Sequence, residues 1–306
     1  MSGARMLGTI LALGLAPAVA QTADCDRDCL LGIADQYMAA LVKHDSGGLP
    51  WAERVRFTEN EVPLMIGDGV WGTASSVRPD AFRIADPASG NVLWLGVLEE
   101  HGQAAYYAVR LNARDGRIAE VETVVGRAGT PGEFADTKGY ALPAVFTESL
   151  AQKQRRKRAR MLAIVAGYYD TMQRNDGNLH TEFAADCERS VNGLSTTHGE
   201  HWAAQAAQGC QAQFEIGLYE PVDRVRARRY ALVDEARGLV VAFAFLDQAA
   251  RYTDYQTRDG QQRAIPIEYP NSRAIMELFK IVDGKIQRIE SVSAFSPYLM
   301  PTIWAK

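Results

Sequence analysis

The chain contains one folding unit twice, and this constrains its architecture more than any other feature. Asp115-Gly116-Arg117-Ile118 opens the stretch to Glu122, and Asp283-Gly284-Lys285-Ile286 opens the stretch to Glu290. Each is an Asp-Gly turn followed by alternating apolar residues, the signature of a tight hairpin. Upstream, residues 30–37 and 160–168 share a helical apolar pattern, and the two helices run on to Asp45 and Asp176. Asp45 and Asp176 are 131 apart, whereas Asp115 and Asp283 are 168 apart, so the second copy carries about 37 more residues. An excess of that size fits loop insertions within one unit rather than a new domain.

The 306 residues suffice for two ordinary domains. A net charge of −4 argues against a nucleic-acid partner, which usually selects a basic excess. Arg5, the apolar run Met6–Ala16 and the small residues Ala18-Val19-Ala20 read as a secretory signal over residues 1–20. The run is too short to span a bilayer, so the mature chain is expected to be periplasmic or secreted, with no membrane association after cleavage. Export makes the four cysteines readable as two disulfides. Of the three connectivities, the economical one pairs Cys25 with Cys29 and Cys187 with Cys210; the latter closes a loop worth roughly 3 kcal/mol.

Apolar residues from Leu30 to Val42 have helical spacing. A short strand is expected at Val55–Asn60, then a turn at Gly67–Gly72. Strands follow at 81–85, 92–99, 104–112 and 117–125. Residues 129–155 read as a linker. Six basic residues crowd Lys153–Arg160, which we read as a solvated helix start. The second copy repeats the order: helix over 161–172, short strand over 187–192, and strands over 222–233, 239–249, 273–282 and 285–294. The expected domains are therefore 21–128 and 156–306, each an α+β unit with a helix laid on a curved antiparallel sheet and a pocket at the open end of the cone.

This order, with its terminal Asp-Gly-(Lys/Arg)-Ile hairpin, resembles the NTF2-like superfamily, also called SnoaL-like or cystatin-like cones, in two tandem copies. Residues 25–30, 55–60, 68–73 and 228–240 look like an exported bacterial and fungal family with a domain of uncharacterised function. Within the superfamily the chain is similar to cofactor-free diarylpropane and phenylcoumaran γ-formaldehyde lyases. The resemblance implies a lyase that needs no cofactor and acts on a small aromatic, lignin-derived diol.

Five groups of residues are candidates for chemistry. Thr58-Glu59-Asn60 matches Ser190-Val191-Asn192, so Glu59 is a candidate base and Asn60 and Asn192 candidate hydroxyl binders, against an ordinary Asn-Gly turn at 192–193. Asp247 ends the apolar run Phe243–Leu246; if buried, it would be a general acid or base near neutral pH. His198, in Thr-Thr-His-Gly-Glu-His, suits a proton shuttle better than a metal ligand, because its spacing to His201 is not that of the zinc helix. Arg189, Arg228 and Arg229 are candidate anion binders, with pairing to Asp234 or Glu235 as the ordinary alternative. Tyr168, Phe214 and Tyr298 belong to an aromatic supply for a ring-shaped ligand, and the Tyr-rich insertion 252–269 suits a lid. Glu122 and Glu290 recur with the fold and read as structural.

The leading expectation is thus a lyase with Asp247, His198, Arg189 and Asn192 in its site. The alternative is a periplasmic small-molecule binding protein with no activity. The apolar C-terminal tail, Pro297–Trp304, is expected to dock, within the chain or in a homo-oligomer. The second copy is expected to be the active one.

Overall fold

The computed structural model describes residues 25–130, 134–198, 208–265 and 267–304. The expected signal segment, and Glu200 and His201, lie outside them.

The first half runs α1 (Arg27–Lys43), β1 (Trp51–Glu59), β2 (Val62–Pro63), α2 (Val70–Thr73), β3 (Ala74–Val77), β4 (Phe82–Asp86), β5 (Asn91–Glu100), β6 (Gln103–Arg114) and β7 (Arg117–Arg127). The second runs α3 (Arg158–Arg174), β8 (Phe183–Val191), β9 (Leu194–Ser195), α4 (Cys210–Glu215), β10 (Arg224–Asp234), β11 (Leu239–Gln248), β12 (Asp254–Gln256), β13 (Gln262–Ala264), β14 (Asn271–Val282) and β15 (Lys285–Pro297). The Asp26 carboxylate caps α1 by accepting from Cys29 N, and His44 ends it in the left-handed conformation. Asn175 ends α3 in the same way. The Gly67–Gly72 stretch is not a bare turn: α2 forms there because Val70 and Trp71 bury against α1.

The strands of the first half form one sheet, ordered β2-β1-β7-β6-β5-β3, with β4 also on β5. Those of the second form β10-β11-β14-β15-β8-β9, with β12-β13 as a separate hairpin. In both, the short strand after the helix pairs parallel to the last strand, β1 with β7 and β8 with β15, while the long strands form an antiparallel meander. The expected α+β architecture of two tandem cones is what the chain adopts. Both expected disulfides, Cys25–Cys29 and Cys187–Cys210, are formed.

Alternation of side chains along the strands gives each sheet two apolar faces. One face of the first sheet packs on α1 through Tyr37, Leu41, Tyr107 and Val109. One face of the second packs on α3 through Tyr168, Met172, Ile275 and Phe279. The remaining faces close on each other, with Leu93, Leu95 and Tyr106 against Val241, Phe243, Met276 and Leu278. The result is four layers, helix–sheet–sheet–helix. The segment read as a linker belongs to this central layer: Phe146 is fully buried there and Phe134, Tyr140 and Leu142 pack around it. In the basic run after it, Arg156 pairs with Asp283, Lys157 with Glu235 and Arg158 with Asp86, while Lys153, Arg155 and Arg160 are exposed. The C-terminal tail docks within the chain. Trp304 is buried under the Arg56 and Arg110 guanidinium groups and donates to Thr58 Oγ1.

Candidate active site

The second cone is hollow. Between α3, the hairpin β12-β13 and the concave face of the second sheet lies a cavity of about 150 Å³. A core of that size takes one benzene ring, and the pocket around it is partly open, with Asn271 and Arg273 also on its lining. Its walls are largely aromatic and aliphatic, with Tyr168, Tyr219, Tyr255, Leu218 and Ile275 among them. Polar groups enter it from β8, β14 and β15.

Register decides which ones. On β14, Arg273, Ile275, Glu277 and Phe279 share a face, and Ile275 and Phe279 belong to the cluster packed on α3. Glu277 therefore points into the cone, opposite Ser291 of β15. Arg189 of β8 enters on the same side, two strands away.

Glu277 is 3% exposed. Its Oε1 accepts from Tyr168 Oη at 3.3 Å and from Ser291 Oγ at 3.2 Å. Its Oε2 has no hydrogen-bond partner among the described residues. The Tyr169 hydroxyl approaches the same carboxyl, but not in hydrogen-bonding geometry. Burial raises the Glu277 pKa above the ordinary carboxylate value; the neighbouring hydroxyls and the Arg189 charge offset only part of that cost.

Arg189 donates to Thr196 Oγ1 at 2.8 Å, to Tyr219 Oη, and to Tyr168 Oη at 3.5 Å, and it lies over the Tyr219 ring. Burial disfavours its charge, but the Tyr219 and Tyr168 oxygens and Glu277 outweigh that and hold its pKa above the usual guanidinium value. Tyr168 links the two: it accepts from Arg189 and donates to Glu277. Burial, with Glu277 next to it, holds its phenol far above the ordinary value, so it stays a neutral donor.

The other expected site residues sit elsewhere. Asp247 is at the cavity rim, but its carboxylate belongs to the opposite face of the sheet. There it pairs with Arg226 at 2.7 Å and accepts from Ser272, its cross-strand neighbour, at 2.6 Å. Both oxygens are thus occupied, and the terminal position on an apolar strand reflects a buried ion pair. Glu59 is likewise committed: one oxygen pairs with Arg127 at 2.8 Å and the other caps α2 through Val70 N at 2.7 Å. Asn60 and Asn192 do the same job in the two copies. Both are in the left-handed conformation, and each amide clasps the last strand, Asn60 through Val125 N and O, Asn192 through Ser293 N and O. Gly193, after Asn192, has φ +72°, and any Cβ there would run into the Tyr106 hydroxyl. The Asn-Gly pair is therefore turn chemistry and sheet packing. His198 lies against Gly209, away from the cavity walls. Phe214 is behind the cavity, stacked on Tyr219 at 4.5 Å. Tyr298 follows β15 outside the cavity lining. Arg228 pairs with Asp170, and Arg229 with Glu61 and Glu122.

Register also aligns the two copies residue by residue. Phe57 pairs with Val121 where Arg189 pairs with Ile289, and Val109 pairs with Thr123 where Glu277 pairs with Ser291. The first cone thus has Phe57, Val109, Thr123 and Val125 where the second has Arg189, Glu277, Ser291 and Ser293. Its helix tyrosine, Tyr37, accepts from Trp71, which plugs the space. Sequence reasoning found Arg189 and Tyr168 and missed Glu277, although an acid in Ala-Ile-Met-Glu-Leu-Phe is the same kind of signal that drew attention to Asp247.

The hollow of the second cone thus brings one buried carboxyl, Glu277, and one half-buried guanidinium, Arg189, against largely apolar walls. Residues 154–293, most of the second cone, match the model of a domain of unknown function (DUF8021). No curated protein matches the chain. Solved structures similar to parts of it include a candidate ketosteroid isomerase from Kribbella flavida, 16% identical, over 39% of this chain and 94% of that one, at a TM-score of 0.29. A candidate SnoaL-like polyketide cyclase from Jannaschia sp. is 13% identical over 48% and 90%, at 0.28. A candidate polyketide cyclase from Xanthomonas campestris is 17% identical over 44% and 90%, also at 0.28. At these TM-scores none of them bears on the chemistry of this pocket.

Proposed function

We propose that the second cone is the active site of an enzyme that moves protons on a small ring-bearing substrate without an organic cofactor, with Glu277 as the acid–base group. The observation that carries this reading is the unpartnered Glu277 Oε2 in a ring-sized cavity, with Arg189 and Tyr168 beside it. A base must reach the proton it takes and must have a pKa near the working pH; burial moves Glu277 in that direction. Arg189 supplies a fixed positive charge for an oxygen that becomes negative, while Tyr168, which donates to Glu277, holds the carboxyl in place.

The particular reaction we infer is loss of formaldehyde from a diaryl-substituted propane-1,3-diol or a phenylcoumaran. For the diol, Glu277 takes the proton of the CH2OH group and the adjacent C–C bond breaks, releasing formaldehyde. The electron pair of that bond forms the alkene, and the benzylic hydroxyl leaves with the proton returned by Glu277, as water. One ring fills the cavity and the second lies toward the mouth. Two disulfides suit an oxidising compartment; we read residues 1–20 as the export signal and the protein as periplasmic or secreted. Among the described residues no helix is long and apolar enough to cross a membrane.

The test is formaldehyde release from 1,2-diarylpropane-1,3-diol by the wild-type protein and by Glu277→Gln. We expect turnover in the wild type and a loss of at least about a hundredfold in the variant. Binding without turnover by the wild type would favour a small-molecule binding protein instead.

A further inference from the structure

Glu277 Oε2 is not the only unsatisfied acceptor in the cavity. Asn271, the first residue of β14, is 2% exposed and lines the same hollow. Its Nδ2 donates to the Tyr269 carbonyl at 2.9 Å, which fixes which end of the amide points away. The other end, Oδ1, has no hydrogen-bond partner among the described residues. A buried acceptor left unmatched is costly, so one that lines a cavity is best accounted for by a ligand that carries the missing donor.

Asn271, Arg273, Ile275 and Glu277 alternate onto one face of β14, so the two unsatisfied acceptors mark the two ends of a single groove. They are six residues apart, at most about 20 Å along the strand and less across a curved sheet. Between them lie Ile275 from below and Tyr255 and Ala264 from the β12-β13 hairpin. Arg273 stands next to Asn271 with its guanidinium over the Phe295 ring at 4.9 Å. A positive charge at that point makes a nearby hydroxyl a stronger donor.

We infer that Asn271 is a specificity-determining residue, and that the ligand is an elongated molecule with an apolar body and a hydroxyl at each end: one proton presented to Glu277, and a second hydroxyl donated to Asn271 Oδ1. This rests on the proposed role of Glu277 for its inner end only. A molecule with a single hydroxyl leaves one acceptor stranded and is rejected for that reason.

The probes are 4,4′-dihydroxybibenzyl and 4-hydroxybibenzyl, with affinities read by calorimetry on the full mature chain. The wild type is expected to bind the dihydroxy compound about tenfold more tightly or better. In Asn271→Ala this preference falls to near unity, while in Asn271→Asp, which keeps an acceptor in place, it persists. In Glu277→Gln it also persists, because the second hydroxyl is still taken by Asn271 Oδ1, although turnover of the diol is lost. Equal affinity of the wild type for both probes, no binding of either, or an undiminished preference in a folded Asn271→Ala overturns the inference. Full turnover by Glu277→Gln with the preference lost in Asn271→Ala would overturn the acid–base reading alone.

Discussion

At the scale of single residues, three of the buried carboxylates in the second half of the chain have three different fates. Glu277 keeps one oxygen free inside a cavity. Asp247 spends both oxygens on Arg226 and Ser272. Asp234 pairs with Arg27 and Arg237 and has its pKa lowered, since those partners outweigh its burial. Asp247→Asn removes the charge facing Arg226, whose Nη2 is already without a partner. Breaking one side of a buried ion pair typically costs about 3 kcal/mol or more. We therefore expect Asp247→Asn to lower the free energy of unfolding by that order, while the pH dependence of turnover stays as in the wild type. A shifted pH profile with unchanged stability would restore Asp247 as an acid–base residue. Sequence marked Asp247 and Glu277 alike as acids in apolar strands. Only the register that turns one toward Ser272 and the other toward Ser291 separates them, and register is a tertiary property.

At the scale of elements, the last strands of the two copies differ in how they keep the same glutamate. Glu122 faces Arg110 across the ladder at 2.8 Å and also meets Arg229. Glu290 faces Leu278 at the equivalent rung, and its nearest help is the Tyr140 hydroxyl at 3.3 Å. Burial raises its pKa to about 7, with Arg288, Tyr140 and Ser190 only partly opposing. A folded-state pKa above the unfolded value of 4.5 stabilises the fold fully below about 4.5 and ceases to do so as pH rises through about 7. Glu290→Gln should therefore flatten the loss of stability between pH 5 and 8, by on the order of 3 kcal/mol at the alkaline end. Parallel unfolding curves for the two proteins over that range would contradict this. The Asp-Gly hairpins, the helices and the long strands were all legible in the sequence, because period and turn chemistry are local. The helix at Val70–Thr73 and the burial of the 134–155 segment were not, because Trp71 and Phe146 are placed by surfaces remote in sequence.

At the scale of the whole molecule, the two copies cover each other's outer sheet faces. The second sheet buries its outer face on the first, and without that cover Leu232, Val241, Phe243 and Met276 would form an exposed apolar patch. The two halves are then expected to unfold together. Phe243→Asp, which puts a charge into the central layer, should cost more than about 3 kcal/mol and still leave one calorimetric transition. Two separate transitions in the wild type would mean that the halves are independent. Repeat and architecture were thus legible early, and the second copy was the expected active one; the residues that set the two cones apart were not legible, since they emerge only on pairing Phe57 with Arg189 and Val109 with Glu277 through their strand partners.

The most direct test of the central claim, that the second cone holds a working acid–base group, is a carbon-13 titration of the glutamate carboxyls, with Glu277 assigned from Glu277→Gln. Glu277 is expected to titrate with a midpoint above the ordinary 4.5 and to change further when a phenol such as 4,4′-dihydroxybibenzyl is bound. An ordinary midpoint that does not respond to the ligand would contradict that claim.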